Sequence, residues 1–147
     1  MLKVLIAEDD LMIADMAEEM LVDHGYEVCG IARTVAAAVA LARLHKPDLA
    51  VINLRLADGG LGTEIAAQLG PLTRLGILYA TGNMAQIILT ATDGDACLAK
   101  PYSGTDLLRS LEIVAELVAT GKAMGPFPRG FQVLPSATSA HRDLSHG

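Results

Sequence analysis

The sequence predicts an α/β fold, a doubly wound parallel sheet held between two helical layers, and three observations carry that prediction. Strand and helix signals alternate along the first 120 or so of its 147 residues, the pattern of right-handed βαβ units. The strand candidates are short, nearly continuous apolar runs, as expected where helices cover both faces of a sheet. The helix candidates carry apolar residues at three- and four-residue spacing, which places them on one face.

The first strand is Lys-Val-Leu-Ile-Ala over residues 3–7, followed by the acidic run Glu8-Asp9-Asp10. Acids there favour a helix start, and Ile13, Met16, Ala17, Met20 and Leu21 are the expected buried stripe of the helix that follows, ended by Gly25. Tyr26 to Ala32 reads as a second strand. Thr34 caps a second helix that runs to about His45, before Pro47 stops it. Leu49 to Ile52 is the central strand and ends abruptly at Asn53. A third helix is expected over about Leu61 to Leu69, with Leu61, Ile65 and Leu69 on one face. Gly76 to Ala80 forms strand four, closed by Thr81.

A short helix is expected from about Met84 to Ala91. It carries Ile87, Ile88 and Leu89, three consecutive apolar residues that one face cannot bury together, so an exposed apolar patch is expected there. Asp95 to Ala99 is strand five. The last helix starts at Ser103, with Asp106 three residues on and a stripe of Leu107, Leu111, Val114, Ala115 and Val118. Beyond Gly121 the composition turns to Gly, Pro, Ser, Thr and His. The chain therefore divides into a folded unit over 1–121 and a C-terminal arm and flexible tail over 122–147. Within the arm, Phe131 to Leu134 has the character of a short extended segment; two readings stand, an accidental apolar cluster in a disordered tail, or an arm that docks on an apolar patch such as Ile87, Ile88 and Leu89, on its own subunit or reciprocally across a two-fold dimer.

Composition narrows the function. Half the residues are apolar, enough for one real core. No apolar run is long enough for a transmembrane helix or a signal peptide, so a soluble, cytoplasmic protein with no membrane partner is expected. Eleven basic against seventeen acidic residues give a net charge of −6 with no basic cluster, which argues against nucleic acid as a partner. Cys29 and Cys97 are too few for a disulfide framework or a zinc site. They fall on strands two and five.

Strands one, three, four and five deliver Glu8-Asp9, Asn53, Thr81 and Lys100 to one rim of the sheet, where open α/β folds place their sites. With the acidic pair, the Pro-Asp that opens strand three, Thr81 and Lys100-Pro101 in this order, the chain resembles a response-regulator receiver domain of two-component signalling over about residues 1–120. The resemblance implies a flavodoxin-like strand order 2-1-3-4-5. That order puts Cys29 and Cys97 about 19 Å apart, beyond the reach of a disulfide. The resemblance also implies phosphoryl transfer from a histidine to a carboxylate, with Mg2+ held by Glu8, Asp9 and the residue at 53, Thr81 as the switch hydroxyl and Lys100 as the cation that pairs with the phosphoryl group.

Asn53 stands at the phosphoacceptor position, normally Asp, and a neutral carboxamide cannot make the acyl phosphate. Loss of that charge implies weakened or absent Mg2+ binding. Cys97 replaces the aromatic residue that usually couples to the switch hydroxyl. The implied function is a stand-alone, non-enzymatic response regulator acting by association with a sensor histidine kinase. A homodimer through the fourth helix, fifth strand and fifth helix, or through the arm, is a further implied contact. Two readings of Asn53 stay open: a phosphorylation-independent receiver or adaptor, and an Asp-to-Asn variant of an active one. A small phosphatase lacks its Asp-x-Asp spacing here, and a flavin carrier would set its phosphate against acids.

Overall fold

The computed structural model describes residues 2–70, 74–82 and 89–136. The elements follow in the order β1 (Lys3–Ala7), α1 (Leu11–Asp23), β2 (Glu27–Ala32), α2 (Val35–His45), β3 (Leu49–Asn53), α3 (Thr63–Leu69), β4 (Gly76–Thr81), β5 (Ala96–Ala99), α4 (Gly104–Thr120) and β6 (Phe131–Val133). They build one sheet in the order β2-β1-β3-β4-β5-β6. The first five strands pair in parallel, with Ala7 beside Ile52, Asn53 beside Ala80 and Thr81 beside Ala99.

This is the doubly wound order expected, with a difference at one edge. The arm beyond Gly121 returns to the sheet, and β6 pairs antiparallel with β5, Leu98 opposite Phe131. The five-stranded expectation is therefore corrected to six. A three-residue segment flanked by prolines has too little alternation to announce itself as a strand.

The pleat explains the two cores. Val4, Ile6, Leu49, Val51, Leu78 and Leu98 point to the side covered by α1 and α4, where they meet Ala14, Ala17, Leu21, Leu107 and Leu111. Leu5, Ala50, Ile52, Ile77 and Tyr79 point to the other side, covered by α2 and α3. Cys29 on β2 and Cys97 on β5 are both free thiols, with three strands between them. Burial pushes the Cys97 thiol up from its ordinary range.

Several helix faces differ from the expected ones. In α1, Ala17 and Leu21 are buried as expected, but Ala14 joins them and Met16 is exposed, so the buried face is turned from the expected one. Leu61 precedes α3 and is exposed, held in a bridge to Arg55, so only Ile65 and the partly buried Leu69 serve that face. In α4, Ser110 and Ile113 join the buried stripe and Val118 is exposed. Most of the helix expected over Met84 to Ala91, with Ile87 and Ile88, lies outside the described residues. Leu89 and Thr90 are not helical, Ala91 to Asp93 form a turn, and Leu89 is partly buried against the core rather than exposed. The described residues thus contain four helices where five were expected.

Candidate functional site

The C-terminal ends of β1, β3, β4 and β5 lie side by side and carry the residues picked out from the sequence. Glu8 follows β1 and is 4% exposed. Its Oε1 accepts from the Lys100 Nζ at 2.7 Å, an ion pair between residues 92 positions apart that parallel pairing through β3 and β4 brings together. Its other oxygen, Oε2, accepts from the backbone N–H of Asp10 at 3.1 Å. Asp10 is the N-cap of α1, and its Oδ1 accepts from the N–H groups of Met12 and Ile13. It is occupied with the helix end rather than with the rim.

Asn53 is half-buried at the end of β3. Its Nδ2 donates to Asp9 Oδ1 at 3.0 Å and to the backbone oxygen of Arg55 at 2.7 Å. Both partners are acceptors, so the amide must present its NH2 to them. The loop that holds the Arg55 carbonyl is closed by Gly62, whose N–H donates to Leu54 O at 2.8 Å. A Cβ at Gly62 would lie 2.5 Å from Asn53 O and from Ile52 Cγ2, so this approach of loop to strand requires glycine.

Thr81 is buried at the end of β4, and its carbonyl accepts from the Lys100 N–H at 2.8 Å, tying the β4 and β5 ends together. The structure therefore gathers Glu8, Asp9, Asn53, Thr81 and Lys100 on one rim. Sequence reasoning missed two contributors. The Arg55 carbonyl is backbone and has no residue signature. Tyr102 lies close enough for burial and then the Glu8 charge to push its hydroxyl up to about 12; only its proximity to Lys100-Pro101 in the chain hinted at it. Tyr79 is turned away, fully buried, with its hydroxyl donating to Asp93 O at 2.6 Å.

A magnesium ion asks for near-octahedral hard oxygens, several of them carboxylate or water. Among the described residues no three His, Cys, Asp or Glu side chains form such a group. The oxygens that converge here are already engaged, Asp9 and Arg55 by the Asn53 amide and Glu8 by Lys100. As it stands, this donor set does not fit the ion.

A doubly wound sheet whose strand ends gather two acids, an amide, a hydroxyl and a lysine defines a receiver of the phosphorelay class. Residues 4–112 match the family model described as the response regulator receiver domain, and the chain belongs to that family. It is 35% identical over 117 residues to the transcriptional regulatory protein PdtaR of Mycobacterium tuberculosis, a match covering 76% of this chain and 55% of that one. The chain thus spans about half the length of this curated relative. Among solved structures, the signal receiver domain of a modulated diguanylate cyclase from Desulfovibrio desulfuricans aligns at a TM-score of 0.71 with 28% identity, covering 83% of this chain and 99% of that one. The anti-anti-sigma factor PhyR of Bartonella quintana aligns at 0.69 with 26% identity, covering 82% and 50%. Receiver domains are in general signalling domains rather than enzymes, bind Mg2+ at their acidic site and interact with kinases and partner proteins. Among the described residues no helix is long and apolar enough to cross a membrane.

Proposed function

We propose that this receiver acts in the cytoplasm by protein association, docking with a sensor histidine kinase at its rim without accepting a phosphoryl group at residue 53. The observation that supports the reading is Asn53 at the end of β3, the residue we read as standing at the acceptor position, with its amide donating to Asp9 and the Arg55 carbonyl. Acyl-phosphate formation needs a carboxylate oxygen to attack phosphorus. The amide nitrogen's lone pair is delocalised into its carbonyl, and the group carries no charge. Docking depends on surface shape and charge around α1, which the amide leaves in place.

The intact remainder of the rim, Glu8, Asp9, Thr81 and Lys100, favours a second reading, an active acceptor receiver carrying Asn in place of Asp. One experiment tests both. The chain and its Asn53→Asp variant are mixed with a phosphorylated kinase dimerisation domain, and capture and phosphate transfer are measured separately. Equal capture with transfer to neither form supports the association reading, whereas transfer to Asn53→Asp alone supports the second. Capture of the variant but not of the chain as it stands defeats the association reading.

A further inference from the structure

We infer that the Asn53 carboxamide stands in for the cation of this site, so that the rim keeps its shape without a divalent ion. The inference rests on the reading of Asn53 as the residue at the acceptor position and extends it to how the rim is held. A carboxylate oxygen from the loop after β1 and a carbonyl oxygen from the loop after β3 converge on one point. That is how protein oxygens surround a hard cation. The atom between them is the Asn53 Nδ2, 3.0 Å from Asp9 Oδ1 and 2.7 Å from Arg55 O, and its two partly positive hydrogens match the two acceptors.

An aspartate at 53 could not hold this arrangement. It has no hydrogen to donate when ionised, and its oxygens would face the Asp9 carboxylate and the negative end of the Arg55 carbonyl, a repulsion that a cation between them relieves. The remaining acids are already provided for: Glu8 by Lys100 and the Asp10 N–H, Asp10 by the first turn of α1. Among the described residues no buried side-chain nitrogen or oxygen lacks a partner. The link from the β1 loop to the β3 loop is therefore made by hydrogen bonds from a side chain of the chain itself, and a partner that reads this rim meets the same surface with or without Mg2+.

Thermal unfolding of the full chain, Asn53→Asp and Asn53→Ala, each in EDTA and in millimolar MgCl2, tests this without any kinase. Its outcome is thus independent of whether kinase docking is correct. The chain as it stands is expected to melt at the same temperature in both buffers. Asn53→Asp should melt lower in EDTA and recover by several degrees with MgCl2. Asn53→Ala, which removes the donor and adds no charge, should melt lower than the parent in EDTA. If MgCl2 raises the melting temperature of the parent as much as that of Asn53→Asp, or if Asn53→Ala melts with the parent in EDTA, the amide does not replace the ion.

Discussion

Lys100 and Glu8 show at the residue scale how a site can depend on one buried charge pair. Side-chain exposures of 18% and 6% place the pair largely out of water, where removing one partner strands the other. Lys100→Met keeps the length of the side chain and removes its charge. It is expected to cost about 3 kcal/mol, near the low end of the range for breaking a buried pair because the ammonium still reaches solvent. Urea denaturation reads the loss, and Glu8→Gln added to Lys100→Met should return part of it. Asp95, at the head of β5, makes the opposite kind of prediction. Burial raises its carboxyl above the ordinary 3.8, only partly countered by the Ile77 N–H that donates to Oδ2 at 2.8 Å. A raised acid pKa means that the folded state binds the proton more tightly than the unfolded state. This group's contribution therefore falls as pH rises from the ordinary value through the folded one. Asp95→Asn should accordingly gain stability relative to the parent across that window when the two are compared by denaturation at acidic and neutral pH. A constant difference between them would show that burial of Asp95 imposes no such penalty.

At the scale of elements, helix ends were the most readable features and helix faces the least. Thr34 accepts from the Ala37 N–H and Ser103 from that of Asp106, as their positions before apolar periodicity implied, because a cap is a local event between residues three apart. The capping role of Asp10 separates it from its neighbours Glu8 and Asp9. Asp10→Ala should destabilise by about 1 kcal/mol while Asp10→Asn, which keeps the acceptor, changes little, as measured by chemical denaturation. The five parallel strands were legible because continuous apolar runs leave little choice of partner layer. The face of α1 was legible only in part. Ala17 and Leu21 are buried as expected, but the centre of the face is shifted toward Ala14, which is buried while Met16 is exposed. For the site, the side chains could be read from strand ends. The Arg55 carbonyl and the sharing of the Asn53 amide between two loops are products of backbone placement that residue identity does not encode.

The whole molecule differs from a plain five-stranded receiver at its β5 edge, and that edge lies under a segment beyond the family match at residues 4–112. Phe131 packs with the α1 and α4 side of the sheet and Leu134 with the α2 and α3 side, so the arm grips both faces of β5. Backbone bonds from Ala99 N to Gly130 O, Leu134 N to Asp95 O and Ala91 N to Pro135 O fix it in place. The Arg109 guanidinium donates to Met124 O at 3.0 Å, and the Phe127 and Phe131 rings meet edge-on at 5.2 Å. The arm docks on its own subunit at the β5 edge; of the expected target, Leu89 is partly buried against the cluster that holds Leu134, and Ile87 and Ile88 lie outside the described residues. Burying Phe131 and Leu134 contributes about 3 to 6 kcal/mol before the entropy of ordering the arm, and the backbone bonds to β5 add to it. Truncation after Gly121 removes that contribution and bares a strand edge beside exposed apolar side chains, the arrangement that invites pairing between chains. The truncated protein is expected to melt several degrees lower and to sediment as a heavier species than the full chain. Phe131→Ala, which keeps the backbone pairing, should lower the melting temperature without the change in sedimentation. If truncation leaves both the melting temperature and the sedimentation unchanged, the arm does not hold this edge in solution.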